Sequence, residues 1–169
     1  INLVQSGSDN NSLCVPADWM QGRTAFGGLI AALSLKAMRG HVPRERKIRS
    51  LLFSFVGPVN SDPFTIQARL LRSGKSVTSI ESRLIQNDTL CAAAIGSFGA
   101  DRDSIIELPP ADCREMTGPD EALELPYIDG LTPAFTRHFN YRWALGDFPF
   151  SGGNGKELGG WINFREPVS

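Results

Sequence analysis

The chain has 169 residues, 41% hydrophobic and 21% charged, with a formal net charge of −1. Such a composition is ordinary for a soluble globular protein, and the length holds one domain or one domain and part of another. A segment of ~100 residues buries a real core, so neither disulfides nor a metal is needed to staple it. The longest apolar-rich stretch, Phe26 to Met38, is interrupted by Gly27, Gly28, Ser34 and Lys36. It is too short to cross a bilayer, and no membrane insertion is expected.

In chain order, the first element is a helix from Ala25 to Arg39, with Thr24 as its N-cap and Gly40 as its stop before Pro43. Leu29, Ile30, Leu33 and Ala37 fall at helical spacing, Ala31, Ala32 and Leu35 widen the apolar face, and only Ser34, Lys36 and Arg39 are clearly polar. Such a helix expects burial on most sides, as inside a curled sheet. The period then changes to two. Strands are expected over 48–56, with Leu51, Phe53 and Phe55 on one side, then 64–72, 77–85 and 90–98. Ser73-Gly74-Lys75 and Asn87-Asp88 mark turns. Four strands joined by short turns predict an antiparallel meander, hence an α+β layout.

Residues 100–132 carry Pro109, Pro110, Pro119 and Pro126 without a sustained period, and read as a linker. Charge divides along the same lines. Residues 1–99 hold eleven Lys/Arg against six Asp/Glu, 100–132 two against nine, and 133–169 four against three. A basic domain before an acidic connector suits an anionic small ligand better than a nucleic acid, although charge also drifts along chains without function. Phe135 to Leu145 alternates again as a strand, and a glycine-rich loop, Ser151 to Gly160, leads to the short strand WINFRE. Two strands cannot close a core alone, so this tail calls for a partner.

Cys14, Cys91 and Cys113 show no metal-type spacing and read as reduced thiols of a cytoplasmic protein. His41 and His138 are isolated and read as surface or packing residues. SGKS at Ser73 to Ser76 lacks the first glycine of a phosphate loop, which Arg69 replaces, and lies between strands. No G-x-S-x-G occurs, which argues against a serine-hydrolase elbow. The informative segment is RTAFGGLIAALSLKAM, Arg23 to Met38. Gly27 and Gly28 at a helix start either permit tight helix–sheet packing or open the first-turn amides to a partial negative charge.

The order AFGGLIAALSLKAM, KIRSLLFSFVGPV, FTIQARLLRSGKSVTSIESRLIQND, LCAAAIGSFG resembles the first repeat of the type II acyl-CoA thioesterase family. PFSGGNGKELGGWINFREP resembles the opening of that family's second repeat. The resemblance implies a double hotdog, each repeat wrapping an antiparallel sheet around a helix. Residues 1–99 are then the first repeat, 100–132 the linker and 133–169 the opening strands of an incomplete second repeat. It also implies hydrolysis of acyl-CoA by non-covalent attack of water, activated by a carboxylate with a hydroxyl and an amide side chain.

In the family those three groups belong to the second repeat, and none has a position here to be carried onto. Catalytic residues are therefore expected beyond Ser169, just as a piece before Ile1 is expected to be missing. The first repeat is expected to bind acyl-CoA. Phe26, Gly27 and Gly28 would line the acyl or thioester end, and Arg72, Ser73, Gly74 and Lys75 would meet the CoA phosphates or else form a solvated hairpin turn. The run Arg44, Arg46, Lys47, Arg49 is a second phosphate candidate, read as a solvated loop. No cofactor is expected, coenzyme A entering as part of the substrate. The expected partner is a second hotdog half or a second copy of the chain. A non-catalytic acyl-CoA-binding module and a purely structural half are the alternatives. A dehydratase-type hotdog would want a histidine where Ala25-Phe26-Gly27 stands.

Overall fold

The computed structural model describes residues 5–6, 12–111, 114–148, 151–153 and 157–167. The chain divides into two compact units, Asn2–Ile105 and Ile106–Ser169. The first contains the short strands β1 (Gln5–Ser6), β2 (Leu13–Cys14), β3 (Met20–Gln21) and β4 (Thr24–Ala25), the helix α1 (Gly27–Arg39), and the long strands β5 (Lys47–Phe55), β6 (Phe64–Ser73), β7 (Val77–Gln86) and β8 (Thr89–Gly99). Its six-stranded sheet runs β1-β2-β6-β7-β8-β5. Three long strands do form the expected meander, and Asn87 and Asp88, both at positive φ, close the two-residue β7–β8 turn.

Strand β5 departs from the expectation. It pairs with β8 at the far edge and not with its sequence neighbour β6. Side-chain volume accounts for this. Across that pairing Leu51 faces Gly96, Phe53 faces Ala94 and Phe55 faces Ala92. Large residues on one strand thus stand over the small ones of the next, as dense packing requires. Segment 56–63 must then cross the end of the β7–β8 hairpin. It is pinned there by Cys91, whose carbonyl accepts from the amides of Val56 and Gly57, both at 2.9 Å.

Helix α1 lies across β6, β7 and β8. Its deepest row is Ile30, Ser34 and Met38, one residue per turn and each at most 1% exposed, with Leu29 beside it. Ser34, one of the three polar residues of the helix, therefore faces the sheet. Gly28, Ala32 and Lys36 form an exposed row. The helix is thus buried on one side, not on most sides, because nothing among the described residues of this unit covers the Gly28, Ala32 and Lys36 row. Inward residues of β7 alternate without a break: Thr78, Ile80, Ser82, Leu84 and Gln86 are all buried. Met38, Val42, Ile80, Ala94 and Phe98 form the core cluster, with Leu35, Phe53 and Ala68 packed against it. Fully burying each large apolar side chain contributes roughly 1.5–3 kcal/mol.

The helix boundary also shifts. Thr24 is a β4 residue whose hydroxyl donates to the Val59 carbonyl at 3.3 Å, and the N-cap is Phe26, without a side-chain cap. Arg39 ends the helix as expected. Its guanidinium donates to the carbonyls of Arg44 and Arg46 and so turns the chain towards β5.

The second unit holds β9 (Leu123–Leu125), β10 (Phe139–Leu145) and β11 (Gly159–Phe164) in a three-stranded antiparallel sheet of order β11-β10-β9. Part of the expected linker is therefore a strand. Ala134–His138, read from its alternation as the start of a strand, is a 3₁₀ turn held by the Thr136 amide and hydroxyl on the Pro133 carbonyl. The register puts Phe139, Tyr141 and Trp143 on one face with Leu123, Leu125, Ile162 and Phe164. Partial burial there pushes the Tyr141 phenol up from its usual range. Cys14 and Cys91 are free thiols, whereas Cys113 lies outside the described residues. No helix among the described residues is long and apolar enough to cross a membrane.

Gly96 marks the tightest helix–sheet approach, since a Cβ there would sit 2.8 Å from the Met38 sulfur and 3.0 Å from the Phe98 ring. Gly96→Ala is expected to destabilise by ~1–3 kcal/mol through overpacking. Combining it with Met38→Ala should cost less than the sum of the two single changes in denaturant unfolding. Strict additivity would show that the two residues do not share the space.

Candidate functional site

The chain enters α1 through two anchored residues. The amide of Ala25 donates to the Val59 carbonyl at 2.7 Å, and that of Phe26 to the Trp19 carbonyl at 3.0 Å. The Phe26 carbonyl then starts the helix by accepting from Leu29 at 3.0 Å and Ile30 at 3.3 Å. The next two amides, those of Gly27 and Gly28, donate to nothing among the described residues. This is the open first turn that every α-helix has, left without a side-chain cap and without an acidic residue.

Aromatic rings surround it. Phe26 stacks on the buried Trp19 with centroids 6.5 Å apart, and Phe53 and Phe55 lie 4.6 Å apart on β5. A Cβ on Gly27 would come 2.9 Å from the Phe55 ring, and one on Gly28 would come 2.5 Å from the Phe26 ring. The glycines therefore permit tight packing and also leave two first-turn amides open. The missing side chains admit the rings, and the rings make an apolar wall beside two unsatisfied donors. Open amides and the helix dipole favour a partial negative charge, such as a polarised carbonyl oxygen.

Arg72, Gly74 and Lys75 are elsewhere. The helix start lies beside Phe55, hence at the Phe55–Ala92–Leu84–Ile66 row of the sheet. The Ser73–Thr78 pair is six residues further along β7, roughly 20 Å at ~3.3 Å per residue. The structure thus joins Phe26, Gly27 and Gly28 and separates them from the hairpin. The Gly74 amide is already used, donating to Val77 at 2.8 Å.

The basic run is not a solvated loop either. Arg46 donates to the Gly74 carbonyl at 3.0 Å, the Lys75 carbonyl at 3.1 Å and the Thr78 hydroxyl, so it clamps the hairpin. Lys47 and Arg49 belong to β5, and both pair with Asp101, Lys47 at 2.6 Å. Arg72 and Lys75 remain exposed. His41 is exposed, His138 is half-buried, and no group of three metal-ligating residues occurs among the described residues.

Sequence reasoning missed three members of the site: Trp19, Val59 and Gln86. Trp19 and Val59 act through backbone carbonyls, which carry no sequence signal. Gln86 did leave one, a polar residue at an inward-facing position of β7. It is taken up below.

Residues 15–99, half of the chain, match the family model of the acyl-CoA thioesterase N-terminal domain. The chain belongs to this family. Solved structures agree on the fold. A hotdog-fold protein of unknown function from Alicyclobacillus acidocaldarius is 22% identical with a TM-score of 0.71, over 85% of this chain and 54% of that one. The acyl-CoA thioesterase II TesB2 of Mycobacterium marinum is 17% identical with a TM-score of 0.68, over 98% and 59%. The tesB protein of Mycobacterium avium subspecies paratuberculosis is 18% identical with a TM-score of 0.58, over 85% and 52%. At these identities the likeness establishes the hotdog fold, and the chain spans little more than half the length of each. No curated protein matches the chain. As expected, the acyl-CoA thioesterase N-terminal domain here is an α+β hotdog, with one helix on a curved antiparallel sheet.

The domain's electrostatics offer a direct check. Hydrogen bonds from Lys47 and then Arg49 hold the Asp101 carboxyl below its ordinary value of 3.8. A lowered folded-state pKa adds stability that is fully present above the ordinary value and lost as pH falls through the lowered one. An NMR titration should find Asp101 below 3.8, and Lys47→Ala should move it back up. An unmoved titration would remove Lys47 from the pair.

Proposed function

We propose that the complete protein hydrolyses acyl-CoA thioesters, and that this chain supplies the half that binds the acyl-thioester end. The observation that carries the reading is the uncapped first turn of α1. Its Gly27 and Gly28 amides lie open beside the rings of Phe26 and Phe55, within a domain of the acyl-CoA thioesterase family. A thioester carbonyl gains negative charge as water attacks, and two aligned donors at a helix N-terminus stabilise that charge.

In this reading the water-activating base comes from outside α1, which has no Asp or Glu between Gly27 and Arg39. In this proposal residues 1–99 are the first repeat, and 133–169 open a second whose remainder supplies the base. Coenzyme A enters as part of the substrate, without a cofactor. Edge strand β5 supports a partner that completes the sheet, either a second hotdog half or a second copy. On it Leu51 is 38% and Phe55 63% exposed, although both belong to the helix-covered face. Free Cys14 and Cys91 support a reducing, cytoplasmic setting. The missing acid also favours a second reading, a non-catalytic acyl-CoA-binding or structural half.

Release of free thiol from acyl-CoAs of several lengths distinguishes these. The complete protein should turn over, and Gly28→Val, which keeps the amide but drives a side chain into the Phe26 ring and so displaces the turn, should lower kcat by about 100-fold. Turnover unaffected by Gly28→Val would move the site elsewhere. Acyl-CoA binding without turnover would leave the binding-module reading.

A further inference from the structure

Gln86 is the last residue of β7, on the face that α1 covers, and is 4% exposed. An amide buried at a core position is costly unless its atoms are satisfied, and here they are. Its Oε1 accepts from the Asn60 amide at 3.0 Å, and its Nε2 donates to the Asp62 carbonyl at 2.7 Å and to the Asn60 carbonyl at 3.4 Å. All three bonds go to the backbone of the 56–63 crossover. Asn60 follows Val59, whose carbonyl holds the Ala25 amide and the Thr24 hydroxyl. Ala25 stands two residues before Gly27. An unbroken path of hydrogen bonds and peptide units thus joins the Gln86 amide to the open turn.

We infer that Gln86 is a positioning residue of the helix-start site, fixing where the Gly27 and Gly28 amides point without touching substrate itself. The inference rests on the reading of that turn as the thioester site. Its physical basis is the shape of the crossover. Segment 56–63 is anchored at its beginning by the Cys91 carbonyl and at its end where Phe64 enters β6. Between these anchors Gln86 supplies the buried bonds that set the height of Val59 above the sheet. The other side-chain bonds to Asn60 and Asp62, from the Asn87 side chain to the Asp62 carboxylate at 3.3 Å and between Asn60 and Asp62 themselves, are exposed and correspondingly weak. An apolar residue at position 86 would fill the space equally well but would release the middle of the crossover.

Two variants of the full chain test this. Gln86→Met keeps the volume and removes every bond, while Gln86→Glu keeps an acceptor for the Asn60 amide and loses the donor. Amide hydrogen exchange is the primary readout, because it needs no activity. In Gln86→Met the Ala25 amide should exchange about tenfold faster, the loss of a typical ~1.4 kcal/mol, while the Leu33 and Ala37 amides keep their protection. Gln86→Glu, which sets a buried carboxylate oxygen against the Asp62 and Asn60 carbonyls, should speed Ala25 exchange at least as much. An unchanged Ala25 rate overturns the inference. So does a uniform loss across the helix, which would make Gln86 a general stabiliser only. In the complete protein, kcat for acyl-CoA should fall with KM little changed, and a rise in KM alone contradicts positioning. If the wild type releases no thiol, the thioesterase reading fails while the exchange result still decides whether Gln86 holds the turn.

Discussion

The hydrogen bond from the Ala25 amide to the Val59 carbonyl at 2.7 Å, seconded by the Thr24 hydroxyl on the same carbonyl, fastens the start of α1 to the end of the sheet. Without it the helix would still pack, because Ile30, Met38 and their partners on β7 and β8 fix its far end and its middle. Its first turn would not have a defined height over the strands. Val59 can serve because β5 runs to the far edge of the sheet and forces the chain to return across the β7–β8 hairpin. That route follows in turn from matching Leu51, Phe53 and Phe55 against Gly96, Ala94 and Ala92. Side-chain volume on two strands thus decides where a loop crosses, and the loop decides where two amides point.

The two ends of α1 show how differently local chemistry is used. At the C-terminal end, Lys36 and Arg39 complement the dipole, and Arg39 also satisfies carbonyls of the chain that follows. At the N-terminal end nothing caps the helix. Leaving those donors open gives up the stabilisation that a Ser or Asp cap usually contributes, roughly 1 kcal/mol. In the proposed function this open turn, beside the Phe26 and Phe55 rings, is where the thioester oxygen would sit.

Much of this was legible in the sequence. The change from helical to strand period placed α1 and the four long strands within two residues, because apolar alternation and turn residues agree there. Strand order was not legible, since it depends on which side-chain volumes fit across a pairing, and short turns made the neighbouring strand look sufficient. The 3₁₀ turn at Ala134–His138 was hidden because alternation alone cannot tell a strand from a turn anchored on Pro133. At the site, the paired glycines were visible, and their lack of side chains does admit the Phe55 and Phe26 rings. The placement of the hairpin cations was not legible: the fold sets Arg72 and Lys75 about 20 Å from the glycines and holds their turn through Arg46. Gln86 is a further case, a residue whose partners lie 24 and 26 positions away in sequence and become apparent only in three dimensions.

The central claim is that the first turn of α1 receives the thioester oxygen. Its most direct test is an NMR titration of the ¹⁵N-labelled protein with an acyl-CoA analogue in which a ketone replaces the thioester. The account predicts that the largest amide shifts fall on Gly27 and Gly28, the change expected when open donors gain an acceptor, with Gly74 and Lys75 moving less. Shifts centred on the Ser73–Ser76 hairpin, or none at Gly27 and Gly28 on saturation, would contradict it.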